Sequence, residues 1–167
     1  MQCLGRMSYG SAIAIGAVSG LRSFTGLAII SQAAGSGAID VRRTPMALMR
    51  VPHVSTLAAI GAATEMTADK LPIMPSRTQK QALIARFIAG AICGAAVSGA
   101  RKGENRIIGA LVGAATAVLT AYAGHEYRKH IDLPPFGAAV IEDAVALTVG
   151  WSVVGAMGVS EKECIEA

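Results

Sequence analysis

Five apolar stretches alternate with polar or proline-bearing turns along the chain: Ser8 to Ala34, Val54 to Leu71, Gln81 to Ala100, Ile107 to Gly124 and Phe136 to Gly158. Each is long enough to predict a helix of membrane-spanning length, about 20 residues at 1.5 Å rise across a core of roughly 30 Å. Ile107 to Gly124 alone is free of charge throughout. The other four carry at least one ionisable group, so they suit a bilayer only as members of a bundle that turns those groups inward. The pattern therefore predicts an all-α, polytopic integral membrane protein of about five transmembrane helices, with residues 1–167 forming one membrane domain.

The breaks carry their own chemistry. Pro72 and Pro75 in KLPIMPSRT end the second stretch, and Pro134 and Pro135 in IDLPPFG separate the fourth from the fifth, because proline lacks the N–H a helix needs and disfavours helix before it. SGARKGENR is a short charged loop between the third and fourth stretches. The longer link from Gly35 to His53 leaves room for a short interfacial helix around Met46 to Met49. Three pairs of glycines spaced by four, Gly16 with Gly20, Gly90 with Gly94 and Gly109 with Gly113, put small faces on three different stretches. Such faces let helix backbones approach closely, and they also allow a homo-oligomer.

Composition agrees with lipid as the surrounding solvent. Charged residues are 16% of the chain, against about 25% for a soluble domain that must cover its surface. The net charge of +4 comes without a long basic run or interleaved aromatics, which argues against nucleic acid as a partner. Cys3, Cys93 and Cys164 are scattered and lack histidines at ligand spacing, so neither a disulfide framework nor a metal site is expected. No nucleotide, hydrolase or metalloprotease motif occurs, and no cofactor or catalytic set is expected. An enzyme acting on lipid head groups, with Arg22 and Arg86 clamping phosphate and Glu65 as base, is the less favoured alternative.

The informative residues are the charges inside the apolar stretches. Arg22 stands at the middle of the first, in GLRSFTGL, which also argues against reading that stretch as a cleaved signal. With five crossings, the turns after the second and fourth stretches fall on one side, and Glu65, Arg86 and Glu142 each lie roughly 8–9 Å inside it by helical rise. Asp69, Glu126 and Asp143 fall at that depth or shallower. An arginine facing acyl chains would cost several kcal/mol, so Arg22 should face the bundle and meet carboxylates there, with Glu65 and Glu142 the expected partners. Glu65 and Asp69, four apart, share a helix face. Gly20 offers a place for a bend or helix break.

Two functions fit these residues. Arg22, Glu65, Asp69, Arg86, Glu126, Glu142 and Asp143 line a pathway or site for a small ion or polar solute, or they form a salt-bridge network that only fixes helix packing in a noncatalytic scaffold. Basic residues divide six against seven between the two sides, which leaves the orientation open.

The segments GLRSFTGLAIIS, ADKLPIMPSRT with ARFIAGAICGA after it, GALVGAATAV with AGHEYRK, and IEDAVAL together resemble the bacterial membrane family known as domain of unknown function 4126. The resemblance spans roughly Ser8 to Gly158. It implies a small protein of the bacterial cytoplasmic membrane and carries no activity, cofactor or catalytic role with it.

Overall fold

A computed structural model describes residues 9–41, 45–68, 80–101, 103–130 and 135–166. Among them the chain is all helical. Its helices are α1 (Gly10–Leu21), α2 (Ser23–Ser36), α3 (Pro52–Ala68), α4 (Lys80–Ala100), α5 (Arg106–His130) and α6 (Pro135–Glu166), with a 3-10 turn at Pro45–Arg50. Among the described residues three helices are long and apolar enough to cross a membrane: Lys80–Ala100, Arg106–His130 and Phe136–Met157. Large apolar side chains stay on the outside, among them Leu111, Leu119 and Ile107 of α5, each more than 60% exposed. That surface is the one expected of helices solvated by acyl chains rather than water.

The first apolar stretch is not one continuous helix. It forms two helices, α1 and α2, separated by Arg22 in an extended conformation (φ −142°, ψ 109°). The Arg22 N–H still closes the last turn of α1 on Val18 O at 2.8 Å. The next two N–H groups, Ser23 and Phe24, would reach Ser19 O and Gly20 O in a continuous helix. They turn instead to the carboxylate of Glu65 on α3, at 3.0 Å each. A glycine allows the bend nearby, but a side chain 42 residues away in sequence sets where it falls.

Helix α2 ends in a Schellman turn. Gly37 takes a left-handed conformation (φ 80°), Ala38 N–H reaches Ala33 O at 2.9 Å, and Arg50 Nε donates to Ala34 O at 3.3 Å. Gly37 is a position where a side chain would strain the backbone.

Helix α5 lies against α1 and α4, which also touch each other, while α2 packs on α3, α4, α6 and α1. The grip on α5 is backbone to backbone. A Cβ placed on Gly16 would stand 2.5 Å from Gly113 O, and one on Gly90 would stand 2.6 Å from the same oxygen. A Cβ on Gly20 would fall onto Ala117 O, one on Gly94 onto Gly109 O, and one on Gly109 onto Ser98 Oγ. The larger side chains fill a separate core among α1, α2, α4 and α6, built on Ile15, Val18, Ile29, Ile30, Val97 and Val154.

Candidate functional site

The break at Arg22 makes a junction where three parts of the chain meet. Arg22 is fully buried, and its Nη2 lies 2.7 Å from Asp143 Oδ1 of α6. The two ions touch without the alignment of a hydrogen bond. Its Nη1 donates to the backbone carbonyl of Glu65 at 3.3 Å. Arg22 thus faces the bundle.

Glu65 holds the start of α2 rather than the guanidinium: its Oε1 accepts from Ser23 N–H and its Oε2 from Phe24 N–H. A carboxylate there satisfies two amides that the break orphans, and it meets the positive end of the α2 dipole. Glu142 is engaged by Arg128 of α5, whose Nε and Nη2 donate to its two oxygens at 2.7 and 2.8 Å. Asp143, next to Glu142 on α6, is the carboxylate at 2.7 Å from Arg22. Adjacent helical residues point about 100° apart, so α6 ties itself to α5 through one carboxylate and to the junction through the next.

The remaining candidates separate. Arg86 is buried at 4% exposure on α4 and is engaged within the fold. Glu126 is exposed near the end of α5 and pairs with Lys129 at 2.7 Å, one turn along the same helix. An exposed pair of that kind adds little to stability. Asp69 lies outside the described residues. No group of three or more histidine, cysteine or carboxylate side chains suited to a metal occurs among the described residues.

Sequence reasoning overlooked Arg128. It stands near the end of α5, a short link before the start of α6 where Glu142 lies, so the signal was present. Its two parallel bonds to Glu142 make a fork that a lysine cannot reproduce. Arg128→Lys should therefore lower stability in detergent by about 1 kcal/mol, read from thermal unfolding, while helical content stays unchanged.

Chemically, the junction combines one buried guanidinium, two carboxylates from different helices and the start of a helix within the first apolar stretch. Among these described groups the formal balance is one excess negative charge, offset by about half a charge from the α2 dipole. A model of the family described as Domain of unknown function (DUF4126) matches residues 10–158. No curated protein and no solved structure matches the chain.

Proposed function

From the premise that the chain belongs to the DUF4126 family, whose description carries no activity, we propose that the Arg22 junction binds and passes a small cation, the proton included. The reading takes the chain as an integral membrane protein with five crossings. The broken pair α1 and α2 makes one, and α3, α4, α5 and α6 make the others, with Gly16, Gly20, Gly90, Gly94, Gly109 and Gly113 providing the close helix contacts.

The observation that carries it is the discontinuity itself. A helix broken within its apolar stretch, with ionisable side chains converging on the break, is how membrane proteins hold a solute away from lipid. The break also takes Ser23 and Phe24 away from the carbonyls of Ser19 and Gly20, so the end of α1 offers the negative end of a helix dipole to a cation. Glu65 is the group whose charge matters most, because it holds the start of α2.

A structural reading has one observation in its favour: the described carboxylates Glu65, Glu142 and Asp143 are all engaged. Buried ion pairs can serve packing specificity alone. The two readings part on Glu65→Gln. The amide keeps an oxygen for one α2 N–H but loses the charge. In proteoliposomes carrying pH- and cation-sensitive dyes, the wild-type chain should give a response to an imposed gradient, and Glu65→Gln should reduce it at least about tenfold while eluting as a folded species, a loss typical of an intramembrane carboxylate that serves transport. Folded wild-type protein that passes neither protons nor any monovalent cation would overturn the proposal and leave the packing network.

A further inference from the structure

The hydroxyl of Thr25 is buried without the bond that most helical threonines of this chain make. Thr56, Thr64, Thr67, Thr116 and Thr148 each donate to the carbonyl four residues earlier, at 2.7 to 2.9 Å. For Thr25 that residue is Leu21, across the break. Thr25 is 1% exposed, and its Oγ1 has no hydrogen-bond partner. The buried hydroxyls of Ser31 and Ser98 are also without one, but Thr25 alone stands in the first turn of α2, at the junction.

The direction in which Thr25 faces follows from its neighbours on α2. Ile29 reaches α6, where its Cδ1 fills the space a side chain on Gly150 would need. Ala28 packs with Ala58 and Ala62 of α3. By helical periodicity Thr25 projects between those two directions, and Gln32 and Ser36, seven and eleven residues on, project the same way. Helices α3 and α6 each pack on α2 but make no substantial contact with one another. A polar stripe on α2 therefore lies along the gap between them, from exposed Ser36 and Gln32 down to buried Thr25 beside Arg22, Glu65 and Asp143.

We infer that this stripe is a hydrated access route to the junction and that Thr25 Oγ1 is a ligand for the water-borne cation that arrives there. The inference rests on the proposed function for its cargo, and adds to it a route and a ligand that the charged residues do not supply. The route runs from the Ser36 end of α2, on the side of the membrane opposite the turn after α3. A hydroxyl can accept from water or coordinate a cation and can donate onward to a carboxylate, which a cluster of ions alone cannot do. Gln32 offers both donor and acceptor midway.

Thiol labelling tests the route without requiring any flux. The chain is prepared with Cys3, Cys93 and Cys164 replaced by alanine and reconstituted in liposomes, and Thr25→Cys and Phe24→Cys are compared. Phe24 is at the same depth as Thr25 but on another face, and it is 44% exposed, so exposure alone would favour it. A small charged methanethiosulfonate reacts with a thiolate in water and hardly at all in hydrocarbon, so Thr25→Cys should label about tenfold faster than Phe24→Cys or more. Adding Gln32→Leu should slow that labelling by a similar factor. Should Thr25→Cys prove unable to fold, Gln32→Cys is compared with Leu119→Cys, on the outer face of α5, with the faster reaction expected at position 32. Equal or faster labelling of Phe24→Cys, no slowing by Gln32→Leu, or equal rates at positions 32 and 119 would each overturn the route. Labelling as expected without any dye response would overturn cation passage and leave the route standing, and a dye response without labelling would do the reverse.

Discussion

Arg22→Met should cost about 3–5 kcal/mol of stability in detergent, and the double replacement Arg22→Met with Asp143→Leu should recover most of that loss. The asymmetry comes from what each change leaves behind. Methionine matches much of the arginine stem but leaves Asp143, whose side chain is 13% exposed, charged against an apolar interior. Removing both partners removes the desolvation penalty along with the attraction, and the two new side chains can pack on each other. The Glu65 carbonyl loses its Nη1 donor in either case, so recovery should fall short of complete by about 1 kcal/mol. Denaturant titration of the single and double variants gives the coupling energy directly. Flux should not follow stability: both variants lack the guanidinium that holds the two sides of the break, and both should be inactive in proteoliposomes. A double variant that is as unstable as Arg22→Met would mean that Arg22 is held by something other than its contact with Asp143.

That Arg22 turns into the bundle toward acidic chemistry was legible in the sequence from the cost of a bare cation in lipid, while the full pairing was not. That cost says nothing about the rotation of α6, which brings Asp143 to Arg22 and Glu142 to Arg128. That rotation depends on Arg128 holding Glu142 from α5, a contact between two helices whose facing sides the sequence leaves open. The break was legible only as a permission. Gly20 marked a place where a helix can bend, but the extended residue is Arg22, because Glu65 captures the two amides that follow it. Long-range capture of a helix end leaves no periodic trace in the residues near the break. The small-residue faces were plain in the spacing of their glycines, and here too the missing information was which face meets which.

Gly113→Ala should be among the most damaging single-methyl additions in the molecule. Gly113 faces two helices at once: its carbonyl oxygen lies where a Cβ on Gly16 or Gly90 would approach, and a Cβ of its own would fall onto Gly90 O. A flexible side chain could swing aside, but a backbone carbonyl in mid-helix cannot, so α4 and α5 must separate and lose contact along their length. Overpacking usually costs about 1–3 kcal/mol, and this case belongs at or above the upper end because no rotamer relieves it. Gly155→Ala is the matched control. A Cβ there meets nothing within 4 Å, and alanine in a helix is favoured over glycine by about 1 kcal/mol, so that variant should be as stable as the parent or more so. Thermal unfolding of the two purified proteins in the same detergent separates steric from intrinsic effects, since both make the same change to the unfolded chain. If Gly113→Ala melts with Gly155→Ala, the backbones of α4 and α5 are not in contact at Gly113, and the close approach that orders α1, α4 and α5 around one another is wrong at its tightest point.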